Sequence, residues 1–537
     1  MTEMTGGQAL VRSIYNEGVR VIFGLPGVQL YHAMDALYDV PDIRFITARH
    51  EQATTYMADG YARAGARVGT AMVVPGPGLQ NAGAGLGNAY ACSSPVLLIS
   101  GQINKKNIGR DVGILHEVND QLDVIDPVTK WNARILNAGE VPGTVQEAFR
   151  QLRNGRPRPV EIEIPPETLA EVANIELCGP AVKTESEPAR DEIEDAVSVL
   201  MQSERPIIWA GGGVHSSGGS KELLELAEYL QAPVITTPEG KGAISDRHYL
   251  SVGVTRGRST GQTRDALRVY FWERDVILAV GTRFAGVEAL EQQKVVQIDI
   301  DEDEIGRNHA DTVGVAGDAK LALRKILEGY REAGPPAKSR REECETLRGL
   351  RYDPANQIEP LGGFVRTIRE CIPEDGILVP DMTQVGYYSR AYYQAYEPRT
   401  YFTSSYAGNL GFAYPTALGA KVAQPDKVVV SPCGDGGFLY NSQELATAAQ
   451  YGINVIAIVF NDGAFGNVLR DQQEMFNGRV IGSELKNPDF VKLAEAYGVA
   501  AMKAESPEEL GSALNKAIEM NSPVLIEVPL GQMPAPF

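Results

Sequence analysis

Two short polar segments follow two apolar, strand-like runs near the carboxyl end of the chain. Gly434-Asp435-Gly436-Gly437 comes just after the run Val428–Ser431, and Asn461-Asp462-Gly463-Ala464 comes directly after the run Val455–Phe460. Glycines at the carboxyl end of a strand, followed by a helix, let backbone N–H groups approach a phosphate closely. Side-chain oxygens at neighbouring strand ends can hold Mg²⁺ against a diphosphate. These residues therefore predict a site for Mg²⁺ and a diphosphate.

Four further segments have residue patterns that occur together in one known family. They are Arg49-His50-Glu51-Gln52 followed by Met57–Arg63, Val74–Gly78 followed by Asn81, Asp381–Gln384, and Ser404–Phe412. Together with the two strand-end segments, they resemble in family order the thiamine-diphosphate-dependent enzymes of the acetolactate synthase and benzoylformate decarboxylase type. The resemblance covers nearly the whole chain, and several ordered matches are far more specific than any single motif.

The resemblance implies residues for the diphosphate end of the cofactor. The Mg²⁺ ligands would be Asp435, Asp462 and the main-chain carbonyl of Ala464. The family more often has Asn where Asp462 stands, but a carboxylate still offers an oxygen suited to a hard cation. The other cofactor-binding residues implied at this end are Thr383, Gln384, Gly434, Gly436, Gly437, Phe465 and Gly466. Taken alone, the glycine segment also fits a tight turn and Asp462 a helix cap.

The resemblance also implies residues for the aminopyrimidine end. Glu51 would hydrogen-bond the ring and promote removal of the thiazolium C2 proton, a role that needs a buried carboxyl group. Leu410 would wedge between the two rings, and the carbonyl of Gly408 would accept from the aminopyrimidine. The turn that lines the same pocket would contribute Pro75, Gly76 and Asn81. Taken singly, Glu51 fits an exposed surface residue, Leu410 a core leucine, and the turn a purely structural role.

Three positions bear on the choice of substrate. His116 stands where acetolactate synthases have glutamine, and because histidine titrates near neutral pH it is our candidate acid or base for the reaction. A core or surface histidine is the alternative. Asp471 falls where acetolactate synthases place a substrate-selecting tryptophan, which predicts a different acceptor pocket. Val28 would face the reacting centre or pack as an ordinary core residue.

Strand-like runs alternate with helix-period segments along the whole chain. This alternation predicts an α/β fold with parallel sheets. Two linker-like stretches, Leu169–Arg190 and Ala333–Glu359, divide the chain into three doubly wound units. By the resemblance these are a pyrimidine-binding domain at residues 1–170, a middle Rossmann-like domain at 188–332 and a diphosphate-binding domain at 358–537.

The middle unit contains Gly211-Gly212-Gly213, Gly240-Lys241-Gly242 and Gly281-Thr282-Arg283. Related proteins use this domain for FAD, for a nucleotide or for no ligand. Glycine-rich loops alone are weak indicators of binding. We therefore expect an empty site here, with FAD as the less favoured alternative.

The composition limits the kinds of partner and the cellular location that we expect for the protein. The chain has 537 residues and a formal charge of −19 at pH 7, which argues against nucleic-acid or anionic-membrane binding. Its five cysteines are scattered without metal-ligand spacing, as in reduced cytosolic proteins. The first residues lack the basic segment of a secretion signal, and no apolar run is long enough to span a membrane. We expect a cytoplasmic protein.

The expected function is that of a thiamine-diphosphate- and Mg²⁺-dependent carboligase or decarboxylase acting on pyruvate or a similar 2-oxo acid. Three alternatives remain open: a simple decarboxylase of benzoylformate decarboxylase type, an FAD-containing oxidase of pyruvate oxidase type, and a catalytically silent scaffold. In the family the two cofactor-binding domains meet across subunits. The resemblance thus implies a homodimer or homotetramer with active sites between subunits.

Overall fold

Three parallel β-sheets, each flanked by helices, make up the described part of the chain. A computed structural model describes residues 1–254, 261–287 and 289–536. Two sheets have six strands, the third has five, and a two-stranded antiparallel ribbon accompanies the first. The predicted α/β class with several parallel sheets is confirmed.

The first sheet is built from the amino-terminal part of the chain. Its strands run in the order β3-β2-β4-β5-β7-β6, and β1 pairs with β8 in the ribbon. The strands are β1 (Thr2–Thr5), β2 (Val21–Gly24), β3 (Arg44–Thr47), β4 (Gly69–Val73), β5 (Val96–Gly101), β6 (Trp131–Arg134), β7 (Val160–Ile164) and β8 (Val172–Ile175). The helices are α1 (Gly6–Asn16), α2 (Tyr31–Tyr38), α3 (Glu51–Gly65), α4 (Pro77–Ala91), α5 (Gln121–Ile125), α6 (Val141–Arg153) and α7 (Pro166–Ala170).

The second sheet has the strand order β11-β10-β9-β12-β13-β14. Its strands are β9 (Pro206–Ala210), β10 (Val234–Thr236), β11 (Ser251–Gly253), β12 (Val276–Val280), β13 (Lys294–Asp299) and β14 (Thr312–Ala316). The helices are α8 (Arg190–Met201), α9 (Gly213–Ser217), α10 (Ser220–Leu230), α11 (Gly261–Trp272), α12 (Ala319–Ala333) and α13 (Arg341–Tyr352). The stretch predicted as the second linker therefore contains a helix, because Cys344 and Leu347 are buried in the core of this domain.

The third sheet has the order β15-β16-β17-β19-β18. Its strands are β15 (Ile377–Leu378), β16 (Val429–Gly434), β17 (Val455–Asn461), β18 (Ala500–Lys503) and β19 (Val524–Pro529). The helices are α14 (Leu361–Cys371), α15 (Gln384–Tyr392), α16 (Ala413–Ala423), α17 (Asp435–Phe438), α18 (Glu444–Tyr451), α19 (Gly466–Met475), α20 (Phe490–Ala496) and α21 (Pro507–Met520). The residue limits of the three domains given above stay predictions.

The central strands are buried on both faces. Every residue of β4, β5, β9 and β12 is buried, as expected for parallel strands covered by helices on both sides. Among the described residues, no helix combines the length and apolar character that crossing a membrane would need.

Helices α3 and α16 bring the first and third domains together through glycines. A β-carbon added to Gly60 would meet the carbonyl oxygen of Thr416 at 1.9 Å, and one added to Gly419 would meet that of Met57 at the same distance. Only glycine permits such close backbone approach. The segment that begins with Glu51 is thereby fixed against the third domain.

Arg63 joins all three domains. Its guanidinium donates to the carbonyl of Thr403 at 2.8 Å and to the carboxylate of Glu239 at 2.7 Å, and it lies 3.5 Å from Asp59 in its own helix. Thr403 also donates to Glu239. Because this cluster is shielded from water, each charge depends on the others.

We expect Arg63→Met to lower the free energy of unfolding by about 3–5 kcal/mol, because it leaves the buried carboxylate of Asp59 and the partly buried carboxylate of Glu239 without their cation. Urea unfolding measures the effect. Arg67→Met, two residues after this helix ends, is the control, since Arg67 is exposed and should change stability by only about 0.5 kcal/mol. Equal unfolding midpoints for the two variants would contradict this role of Arg63.

Candidate active site

The ends of β16 and β17 lie side by side at one edge of the third sheet. The two strands are parallel neighbours, with Gly434 paired to Phe460. The chain leaves β16 directly into α17, whose first residue is Asp435. Asp462 follows the last residue of β17. Strand register thus brings the two predicted Mg²⁺-binding side chains to the same point.

Hydrogen bonds hold Asp435 in place. Its Oδ1 accepts from the N–H of Gly436 at 2.7 Å, and its Oδ2 accepts from the N–H of Gly463 at 2.9 Å. The side-chain amide of Asn487 donates to the same Oδ2 at 2.5 Å and to Asn461 Oδ1 at 2.9 Å. Asn487 has no motif around it that would have indicated this contact from the sequence.

The electrostatics of the two carboxylates fit a cation. Burial raises the pKa of Asp435 above its ordinary range. Burial and the nearby charge of Asp435 raise the pKa of Asp462 to about 6. Two carboxylates that disfavour each other's charge are stabilised when a divalent cation lies between them. Within the described ranges no group of three His, Cys, Asp or Glu side chains gathers as a metal site. The carbonyl of Ala464 stays the predicted third ligand.

Glycines shape the wall around these carboxylates. A β-carbon at Gly436 would meet the ring of Phe465 at 2.5 Å, and one at Gly466 would meet Asp462 Oδ2 at 2.6 Å. Neither position tolerates a side chain without displacement of its neighbour. A ligand phosphate can therefore approach the backbone N–H groups of this turn closely.

Thr383 and Gln384 lie at the same place. The side chain of Thr383 comes within 3.3 Å of the β-carbon position of Gly434, and the Gln384 amide within 3.2 Å of that of Gly466. Gln384 donates to Asn467 at 2.8 Å, and Arg470 donates to Gln384 at 3.1 Å. The structure thus groups the residues predicted for the diphosphate end.

Asp381 is a buried carboxyl group that begins the segment Asp381–Gln384, and the sequence indicated no role for it. It accepts from the N–H of Gly411 at 3.0 Å and from its neighbour Met382 at 2.8 Å. Burial raises its pKa to about 7. A β-carbon at Gly437 would meet its Oδ2 at 2.7 Å. Asp381 therefore links the diphosphate turn to the segment that contains Gly408 and Leu410.

Glu51 is the first residue of α3, where His50 caps the helix by accepting from the N–H of Gln52. Its Oε2 accepts from the side-chain amide of Asn81 at 3.0 Å, and its Oε1 lies 3.7 Å from the β-carbon position of Gly78. The structure therefore brings Glu51 together with Asn81 and the start of α4. In the single chain Glu51 is partly buried rather than fully enclosed.

The segment Arg49–Gln52, called the HEQ segment below, is anchored to the third domain of the same chain. The N–H groups of Arg49 and His50 donate to Glu444 at 3.0 and 3.1 Å. The Gln52 amide donates to the carbonyl of Tyr440 at 3.1 Å. Glu444 is a second buried carboxyl group without a sequence signal, and burial raises its pKa to about 7.

The turn at Pro75 and Gly76 packs against His116. A β-carbon at Gly76 would meet the carbonyl oxygen of His116 at 2.4 Å. The His116 ring is half-buried, and its Nδ1 lies 3.2 Å from Gln29 Oε1. Val28 is 47% exposed, so the alternative that it packs in the core is wrong.

The aminopyrimidine end is open in the single chain. Leu410 is 36% exposed and Tyr440 is 48% exposed, and Gly408 and Asn81 are also exposed. Leu410 is therefore not enclosed by the core of its own chain. Asp471 lies on the exposed side of α19.

A large cavity of about 1750 Å³ lies where the second domain meets the other two. The predicted glycine loops contribute Gly212, Gly213, Gly281, Thr282 and Arg283 to its lining. The middle domain therefore has room for a dinucleotide-sized ligand. The expectation of an empty site stays a prediction.

Known protein families match all three parts of the chain. The N-terminal TPP binding domain of thiamine pyrophosphate enzymes matches residues 4–124, their central domain matches residues 193–326, and their C-terminal TPP binding domain matches residues 381–528. The strand-end site and Glu51 thus fall within the two TPP-binding matches.

Several acetolactate synthases are similar over nearly the full length. The probable acetolactate synthase large subunit of Methanocaldococcus jannaschii is 37% identical over 98% of this chain and 92% of its own. The large subunits of Haemophilus influenzae and Lactococcus lactis are each 32% identical over 98% of this chain, covering 95% and 92% of their own lengths. The chain therefore belongs to the thiamine pyrophosphate enzyme family, as an acetolactate synthase-like enzyme that acts on carbon–carbon bonds.

Proposed function

We propose that this enzyme uses thiamine diphosphate and Mg²⁺ to join the acyl part of pyruvate, or of a similar 2-oxo acid, to a second carbonyl compound. The observation that carries this proposal is the full-length similarity to acetolactate synthases together with the paired carboxylates at the ends of β16 and β17. When bound, the cofactor supplies a carbon nucleophile and accepts the electrons released by decarboxylation.

Residues of this sequence would hold the cofactor's two ends, one end in each of two copies of the chain. Asp435, Asp462 and the Ala464 carbonyl would hold Mg²⁺ next to the diphosphate. The turn from Gly434 to Gly437, with Thr383, Gln384, Phe465 and Gly466, surrounds the phosphates. Glu51 holds a proton at the aminopyrimidine nitrogen, with Asn81 orienting its carboxylate. Leu410 and the Gly408 carbonyl contact the rings.

The open aminopyrimidine end supports an active site shared between two copies of the chain. Gly408, Leu410 and Asn81 are exposed, although their proposed roles need a water-excluding pocket. We propose a homodimer, or a homotetramer built from it, in which a second copy covers these residues. The relatives are named large subunits, which also supports an assembly of more than one chain.

A simple 2-oxo acid decarboxylase is the second candidate. The position of His116 favours it, because its carbonyl abuts Gly76 in the proposed pocket wall and its ring is only half-buried. A histidine there can supply the proton that converts the product into a free aldehyde. In the decarboxylase, His116 would act as a catalytic acid. In the carboligase, it would only line the pocket.

We propose no FAD in the reaction, and a cytoplasmic location, which the five free cysteines support. The purified protein should then be colourless. A flavin spectrum with release of peroxide from pyruvate would support the oxidase instead.

The product formed from pyruvate tests the proposal. With thiamine diphosphate and Mg²⁺, we expect NMR to show a coupled acetohydroxy acid or hydroxyketone, because the acyl group is transferred to a second carbonyl. Free acetaldehyde alone would select the decarboxylase. His116→Gln, which restores the acetolactate synthase residue, should leave coupling intact and reduce any aldehyde by-product. Absence of both products with pyruvate, 2-oxobutyrate, glyoxylate and benzoylformate would contradict the proposed substrate class.

A further inference from the structure

Two glutamates of β7 lie inside the first domain. Glu161 and Glu163 are both fully buried. Arg134 donates to Glu163, whereas Glu161 Oε2 has no hydrogen-bond partner among the described residues. Burial and the neighbouring carboxylate raise the pKa of Glu161 well above its ordinary value, and burial also raises the pKa of Glu163. Arg134 thus lies against a pair of carboxyl groups whose burial and closeness disfavour ionisation of both.

Ser100 and Gln121 connect this pair to the neighbouring strand. The Ser100 hydroxyl donates to Glu161 Oε1 at 2.6 Å. The Gln121 amide nitrogen lies 2.9 Å from Ser100 Oγ, 3.0 Å from the Gly101 carbonyl and 2.8 Å from Glu163 Oε2. A carbonyl and a carboxylate can only accept, so the amide nitrogen must face them. The side-chain oxygen of Gln121 is thereby aimed away from the pair.

That oxygen accepts from the N–H of Gly76 at 2.9 Å. Gly76 has φ of 60° and ψ of −112°, a conformation that favours glycine strongly. A β-carbon at Gly76 would meet the His116 carbonyl oxygen at 2.4 Å. A β-carbon at Gly78, two residues on, would lie 3.7 Å from Glu51. The bond from Gln121 therefore acts on a turn that lies against the His116 carbonyl and leads into the start of α4, where Gly78 lies near Glu51.

We propose that Gln121 is a positioning residue, which ties the buried pair Glu161 and Glu163 to the N–H of Gly76 and so fixes the turn at Pro75 and Gly76 against the cofactor pocket. This inference rests on the proposed function of that pocket. Without the amide, the Gly76 N–H loses its acceptor and the turn is free to move. A displacement of about 1 Å near reacting groups costs up to about 100-fold in rate.

Gln121→Leu tests the proposal. We expect kcat with pyruvate to fall about 10- to 100-fold. Thiamine diphosphate affinity should stay within about twofold, since the diphosphate end is held by Asp435 and its neighbours. Hydrogen–deuterium exchange followed by mass spectrometry should show faster exchange of the Gly76 amide. Gln102→Leu is the matched control, because Gln102 is also buried beside Glu163 but its oxygen accepts from Ile103.

Gln121→Glu gives a signature that a merely structural role would not produce. The charged groups around this position are Glu161 and Glu163, with Arg134 behind Glu163 and Asp120 bound to Arg134. When ionised, the substituted side chain cannot donate to Glu163 and adds negative charge. When protonated, it can donate to Glu163 and accept from Gly76. The ratio of its kcat to that of the wild type should therefore rise between about pH 8 and about pH 6, while the ratio for Gln121→Leu stays flat.

An unchanged kcat together with unchanged exchange of the Gly76 amide in Gln121→Leu would overturn the proposal. If that variant does not fold, the proposal is tested by the ratio of kcat for Gln121→Glu to kcat for the wild type. A ratio that does not change with pH would overturn the proposal. If the wild type does not turn over pyruvate, the proposed function fails. In that case the exchange rate of the Gly76 amide in Gln121→Leu still tests whether Gln121 holds this turn in place.

Discussion

Glu51→Gln should lower kcat with pyruvate by at least about 100-fold, within the range of general acid–base catalysis. Glutamine keeps the size of the side chain and can still accept from Asn81, which donates to Glu51 at 3.0 Å. It cannot hold and release a proton at the cofactor's ring nitrogen. Steady-state kinetics with saturating cofactor measure the effect, and thiamine diphosphate should still bind.

Glu342→Gln is the matched control for this variant. Glu342 is also an acidic residue in the first turn of a helix, but it is exposed on α13 in the middle domain. It should leave kcat unchanged. Activity of Glu51→Gln equal to that of Glu342→Gln would remove Glu51 from the mechanism.

Asp435→Asn should weaken Mg²⁺-dependent binding of thiamine diphosphate by at least about 10- to 100-fold, the loss typical when even an outer partner of a metal is removed. The change removes one of two carboxylates that approach the same point and keeps the shape that Asn487 and Gly463 contact. Isothermal titration calorimetry with and without Mg²⁺ measures the affinity.

Asp489→Asn serves as the control, because Asp489 caps α20 in the same domain and is exposed. Its affinity for the cofactor should equal that of the wild type. If Asp435→Asn binds the cofactor as tightly as Asp489→Asn does, and equally with or without Mg²⁺, the metal site lies elsewhere.

The strand-end site was the part of the protein most accessible from the sequence. A glycine segment after an apolar run predicts a strand that stops and a backbone that a phosphate can approach, and Asp435 and Asp462 do lie at adjacent ends of β16 and β17. Parallel strands place their carboxyl ends at one edge, so the local pattern is sufficient. The family resemblance was confirmed for the same reason, since each motif is a short continuous segment.

Residues that act across long separations escaped prediction. Each of these residues forms a hydrogen bond with a partner far away along the chain. Asn487 bonds to Asp435, Glu444 to the HEQ segment, and Gln121 to Gly76. A single polar residue has no neighbouring pattern that reveals such a contact, because the fold alone brings the partners together.

In two regions the local sequence pattern indicates the wrong structure for a similar reason. The alternating sequence of β7 suggests glutamates in solvent, yet Glu161 and Glu163 lie inside the domain, where Ser100 donates to Glu161 and Gln121 and Arg134 donate to Glu163. The polar stretch before residue 359 looks like a linker, yet residues 341–352 form a helix. Cys344 and Leu347 of that helix pack in the core of the second domain, which stabilises it.

Exchange of the thiazolium C2 proton of bound thiamine diphosphate for deuterium, followed by NMR after acid quench, tests the central claim most directly. It reports cofactor activation by this chain whatever the substrate. We expect the wild type with Mg²⁺ to exchange this proton much faster than the free cofactor does, and Glu51→Gln to lose the acceleration. Exchange no faster than that of free thiamine diphosphate in the wild type, with the cofactor shown to be bound, would contradict the account.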